Sequence, residues 1–174
     1  MAAHVVNGIV LLAMGALWLA SGTQSERRVL SPPAGGATQI EKLEADVAAS
    51  PGDDAKVRAL GQAYLDAKAP GLALALVERS APDLKTRPKV EHLYARALLD
   101  EGRAADALAV EREVLTTCTM ADGICDAWLV ASARRRADIL AELVGLGVED
   151  AEADPEVTTV AYHNATREAR LALR

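Results

Sequence analysis

The 174-residue chain predicts an all-α fold on three observations. Its hydrophobic content is 51%, mostly Ala, Leu and Val, with no Phe and only 3% aromatics. A core built from small and aliphatic side chains favours close helix-on-helix packing over a strand-rich sandwich. Apolar residues recur at spacings of three and four between breaks containing Pro and Gly, the pattern of amphipathic helices. The chain also matches itself when displaced by 34 residues, which predicts a repeated helical hairpin. The length accommodates one ordinary domain plus an appendage. With a net charge of −6 the chain offers no basic footprint for phosphate, so no nucleic-acid partner is expected.

The appendage comes first. From Val5 to Ala20, "VVNGIVLLAMGALWLA" carries no charge, and Asn7 is its one strongly polar side chain. With its small flanking residues it reaches about 20 residues, enough at ~1.5 Å per residue to cross a hydrocarbon layer of about 30 Å. Residues 1–22 are therefore expected to form a transmembrane anchor, with Trp18 at the interface. A secretory signal peptide with Ala20-Ser21-Gly22 as its cleavage region is the competing expectation, and a buried soluble helix a third. Arg27 and Arg28 follow the segment and argue for a cytoplasmic remainder, in conflict with the compartment that the cysteines indicate below.

Residues 23–37 are rich in Ser, Pro and Gly and read as a flexible linker. The domain is expected to occupy 38–174. Its first helix starts at Thr38, paired with Glu41 in a capping box, carries Ile40, Leu43 and Val47 on one face, and ends at Ser50-Pro51-Gly52. Asp53 or Asp54 caps the next helix, which carries Val57, Leu60, Gly61, Tyr64 and Leu65. Pro70-Gly71 interrupts it. Proline costs about 3 kcal/mol in a helix interior but suits a first turn, so "LGQAYLDAKAPGLALALVERS" is predicted to be two helices.

Displaced by 34 residues, Gly61 falls on Ala95, Tyr64 on Leu98 and Ala73 on Ala107; Val77 over Glu111 is the exception. Gly102 ends a helix much as Pro70-Gly71 does. Two repeats follow, at about 54–87 and 88–121, each too small to bury its own apolar face. "LG..Y" at Leu60, Gly61 and Tyr64 with Ala73, and "YA..L" at Tyr94, Ala95 and Leu98 with Ala107, resemble the tetratricopeptide repeat signature. Gly61 and Ala95 would let paired helices approach closely, with Tyr64 and Leu98 filling the space between them. Helices at 124–147 and 155–173, the last opened by Asp154-Pro155 with Val157, Val160, Ala161 and Ala165 inward, are expected to complete a diverged third unit.

The resemblance implies a solenoid whose first helices line a concave groove. Arg58, Gln62 and Leu65 in one copy and Lys89, His92, Arg96 and Leu99 in the next lie at spacings of three and four, off the packing stripe. Such a groove is locally basic and suits an acidic or carboxylate-ending peptide; ordinary solvated charges are the competing reading. "RRR" at Arg134 to Arg136 reads as a solvated helix face.

Cys118 and Cys125 flank "TMADGI" and predict a disulfide, hence an oxidising compartment such as a periplasm, with two free thiols as the competing reading. Two thiols are too few for structural zinc, and His4, His92 and His163 are isolated, so no metal, cofactor or catalytic residue is expected. The resulting expectation is a non-enzymatic, single-pass membrane adaptor or assembly factor with extracytoplasmic repeats that bind a protein or peptide. Bacterial envelope assembly factors share that arrangement. A permanent structural subunit of an envelope complex is the alternative, and a cleaved, secreted repeat protein a further one.

Overall fold

The computed structural model describes residues 34–120 and 124–172. Among them are eight helices and no strand: α1 (Ala34–Ala49), α2 (Asp54–Asp66), α3 (Pro70–Arg79), α4 (Pro82–Lys85), α5 (Pro88–Asp100), α6 (Ala104–Met120), α7 (Ala127–Gly145) and α8 (Pro155–Ala172). The expected transmembrane segment, residues 1–22, and most of the expected linker lie outside the described residues. Among the described residues no helix is long and apolar enough to cross a membrane.

Each long helix packs on its neighbour in sequence, and α5 also packs on α2 and α3. Short connections fold successive helices back on one another, giving the hairpins α2/α3, α5/α6 and α7/α8 in a repeat-like array. The core runs through all of them as Leu60, Tyr64, Leu65, Ala73, Val77, Leu93, Leu98, Ala107, Leu140, Leu143 and Ala161.

The capping chemistry sets the boundaries. Asp53 accepts hydrogen bonds from the Ala55 and Lys56 amides at the start of α2 (3.0 and 3.3 Å), and Asp126 and Asp154 do the same for Leu129 and Val157 at the starts of α7 and α8. Pro70, Pro88 and Pro155 each occupy a first turn, where a missing amide hydrogen costs nothing. The first helix of every hairpin ends in the same turn. After α5, the Arg103 amide reaches Leu98 O and the Gly102 amide reaches Leu99 O; after α2, Ala69 reaches Tyr64 and Lys68 reaches Leu65; after α7, Val148 reaches Leu143 and Gly147 reaches Val144. This paired pattern needs a left-handed residue, and Lys68, Gly102 and Gly147 supply it at φ 56°, 75° and 75°.

Several sequence expectations shift. The break in the first hairpin is made at Lys68, and Gly71 lies inside α3. α1 begins by Ala34, so residues 34–37 are helical, not linker, and Thr38 lies within the helix instead of capping it. The Gly35-Gly36 pair weakens a helix by about 1 kcal/mol per residue relative to alanine without forbidding it. α4 was not expected, because four residues are too few to show a period; Pro82 starts it and its Leu84 is fully buried. Val160 is 50% exposed: α8 packs on α7 through the stripe of Val157, Ala161 and Ala165, and Val160 falls outside it. Gly61 does permit close approach, but to the next hairpin: a Cβ there would run into the Leu93 side chain of α5. Tyr64 reaches the other way, donating its hydroxyl to Glu44 of α1 at 2.7 Å.

Candidate functional site

The first helices of the three hairpins line an open groove of ≈ 640 Å³. α2 contributes Arg58 and Gln62, α5 contributes Lys89, His92, Leu93 and Arg96, and α7 with its cap contributes Asp126, Trp128, Leu129, Ser132 and Arg136. Of the seven residues expected from spacing, Arg58, Gln62, Lys89, His92 and Arg96 come together here. Gln62 and Arg96, one 34-residue period apart, touch directly, the guanidinium donating to the amide oxygen at 3.3 Å.

Leu65 and Leu99 do not belong to the groove. They share its helical stripe but fall in the last turns of α2 and α5, past the groove's end. Leu65 is 2% exposed within the core and Leu99 packs against it. Burying such a side chain is worth about 1.5–3 kcal/mol, which outweighs any tendency of the stripe to face the opening.

The groove lining carries four cations, Arg58, Lys89, Arg96 and Arg136, against one carboxylate, Asp126. Two of the four have loose counter-ions. Arg58 and Arg96 face Asp54 and Asp100 at 3.6 and 3.9 Å, beyond hydrogen-bond distance, and Arg58 Nε is buried without a hydrogen-bond partner. Two pairs are close: Arg136 lies 2.7 Å from the buried Glu111, and Lys89 lies 2.8 Å from Asp126, whose carboxyl is held below its ordinary range chiefly by that lysine and then by the Leu129 amide. Donors therefore remain available to an incoming anion.

Beneath this surface lies a network that joins α5, α6 and α7. Glu111 of α6 is fully buried, and Arg136 Nη1 donates to its Oε1 at 2.7 Å and to the His92 carbonyl at 2.7 Å. His92 is 7% exposed, not the open groove residue that spacing predicts. Its Nδ1 lies 2.8 and 2.9 Å from the two Glu111 oxygens, which assigns the proton to Nδ1. Both hydrogens of Arg136 Nη1 are already engaged, so its 3.2 Å approach to Nδ1 is a contact and not a further bond. Nε2, 3.0 Å from Ser132 Oγ, accepts from that hydroxyl in the neutral ring.

Ser132, His92 and Glu111 thus have the order of a nucleophile, a base and an orienting carboxylate. The surroundings do not suit that chemistry. Ser132 sits inside α7, where backbone amides are committed to the helix's own carbonyls instead of an oxyanion, and Arg136 neutralises the carboxylate. The chain braces α5, α6 and α7 against one another. Among the described residues no group of three or more His, Cys, Asp or Glu side chains is placed to hold a metal ion.

Sequence reasoning missed Glu111, Ser132, Arg136, Asp126 and Trp128. Glu111 had a signal, since in the 34-residue comparison it is a charge set over Val77, a core residue of the preceding hairpin. Arg136 was hidden in the arginine run: Arg134 and Arg135 are exposed, whereas the Arg136 side chain is only 22% exposed. Cys118 and Cys125 are paired, with Cα atoms 5.4 Å apart, immediately before Asp126.

The chain matches no family model, and no curated protein and no solved structure is significantly similar to it.

Proposed function

We propose that this chain is a membrane-tethered adaptor or assembly factor of the tetratricopeptide type, held by residues 1–22, whose repeats bind an acidic segment of another protein without chemistry or cofactor. The observation that carries this reading is the groove itself: four cations and one carboxylate, on an otherwise acidic chain, gathered from the first helices of three successive hairpins. Opposite potentials steer association and suppress wrong partners.

The test places a photoreactive side chain at Gln62 and maps crosslinks in intact cells. Reversing two charges with Arg58→Glu and Arg96→Glu should abolish them while leaving helicity intact. Crosslinks that survive the reversal would discard the groove. The Cys118–Cys125 pair supports an extracytoplasmic domain. Thiol-blocking mass spectrometry on native protein should find both cysteines oxidised, and free thiols would overturn that placement.

The exposed Val160 on α8, with Val144 and Leu146 at the end of α7, supports a second reading, a permanent subunit packed on partners through its C-terminal helices. Val160→Glu would release such a subunit from its complex and would leave a groove-binding adaptor unaffected.

A further inference from the structure

Trp128 is 72% exposed, yet it is held in place. It occupies the first turn of α7, which Asp126 caps, and Cys125 just before it is tied to Cys118. Its ring stands edge-on to His92, at 6.3 Å and 87°, and His92 is in turn fixed by Glu111 and Ser132. A large ring presented to solvent but already ordered can be covered at little cost in side-chain entropy. Tryptophan beside arginines in a concave site is the composition of a binding hot spot.

The ring shares its groove with the close pair Lys89–Asp126, whose side chains are 43% and 49% exposed. A carboxylate from outside can take the lysine. Asp126 then keeps its role as the cap of α7, where a negative charge is stabilised by the helix N-terminus and the Leu129 amide. The exchange leaves neither charge stranded.

From these placements we propose that the groove's partner is an acidic segment bearing a large apolar or aromatic side chain: that side chain covers Trp128 while an adjacent carboxylate displaces Asp126 from Lys89. This rests on the groove reading above and specifies its ligand. A lysine or arginine over the Trp128 face is disfavoured, because Arg58, Lys89 and Arg96 line the same opening. A flat anionic membrane is disfavoured by the concavity in which the ring sits.

The test pans a library of random dodecapeptides against the full chain in detergent, then measures selected peptides on variants shown by circular dichroism to keep their helicity. The selected pool should be enriched in Asp and Glu with Phe, Trp, Tyr or Leu beside them. Trp128→Ala should weaken binding by about 30-fold or more, and Trp128→Phe by only a few-fold. If Trp128→Ala binds as well as wild type while Arg58→Glu with Arg96→Glu abolishes binding, the anchor is refuted and the groove stands. If neither variant matters, or the pool is basic, both fail. Binding to phosphatidylglycerol vesicles lost in Trp128→Ala, without peptide enrichment, would overturn the proposal in favour of a membrane contact.

Discussion

Glu111 is where the structure makes its most costly commitment, and replacing it with valine, the residue one period earlier at position 77, is the sharpest perturbation available. The carboxylate is fully buried and accepts two charge-assisted contacts, from Arg136 at 2.7 Å and from His92 at 2.8 Å. Each such bond is worth about 1.5–3 kcal/mol net, and removing one partner of a buried pair costs about 3–5 kcal/mol because the other is left uncompensated. Here the stranded partner is Arg136, whose side chain is 22% exposed and has a route to water. That moves the expectation for Glu111→Val to the lower end, about 3 kcal/mol. At roughly 3 °C per kcal/mol for a domain of this size, the helical melt followed by circular dichroism should fall by about 10 °C. Removing both charges, in Glu111→Val with Arg136→Met, should recover part of that loss, since a buried ion pair replaced whole by apolar groups is often neutral. A single variant that melts within about 3 °C of wild type, or a double variant worse than the sum of its parts, would show that the brace is not the paired charge described.

Two further outcomes test separate parts of the fold. Burial first, and then the hydrogen bond to Glu44, push the Tyr64 phenol up to about 12. A raised phenol favours the neutral form in the folded state, so its contribution is complete below the ordinary value near 10 and is lost as the pH rises through about 12. Ultraviolet titration should show a late phenolate transition that Tyr64→Phe removes; three tyrosines ionising together near their ordinary pKa would refute the Tyr64–Glu44 link. At Lys68, a non-glycine residue held at φ 56° costs about 1 kcal/mol, so Lys68→Gly should raise the urea midpoint by an equivalent of about 0.5 kcal/mol after the unfolded-state entropy of glycine is subtracted. Lys68→Ala should gain nothing, and equal midpoints for the two variants would remove the strain argument.

The legible parts of this protein were those governed by period. Spacings of three and four, repeated after 34 residues, were enough to set Arg58, Gln62, Lys89, His92 and Arg96 on one surface, because equivalent positions on stacked helices face the same way. Period says nothing about where a groove stops, which is why Leu65 and Leu99 were misplaced. The arginine run is a different failure. Successive helical residues turn by about 100°, so three in a row sweep roughly 200°, and α7 packs on both α6 and α8. Arg136 is the one that turns inward, to the carboxylate at a core position of the preceding helix. Trp128 and Asp126 were illegible for a plainer reason: their roles depend on the loop closed by Cys118 and Cys125, and no spacing rule sets the angle at which α7 leaves it.

The substitution of a carboxylate for the apolar residue of the preceding repeat also explains how a diverged hairpin can be docked in one register. An apolar face slides at little cost, whereas a buried carboxylate that must meet both His92 and Arg136 is satisfied in a single arrangement. The consequence reaches the groove, because His92 and Arg136 belong to the brace and to the lining together. Arg136 spends Nη1 on Glu111 and the His92 carbonyl, so a ligand carboxylate that competes for that group loosens the joint it rests on. Arg58 and Arg96 have only loose ion pairs and Lys89 an exposed partner in Asp126, so none of the three is tied to a buried charge. Charge reversal at Arg58 and Arg96 should therefore leave the melt unchanged while binding is lost, whereas changes at Arg136 move the two properties together and report little about recognition.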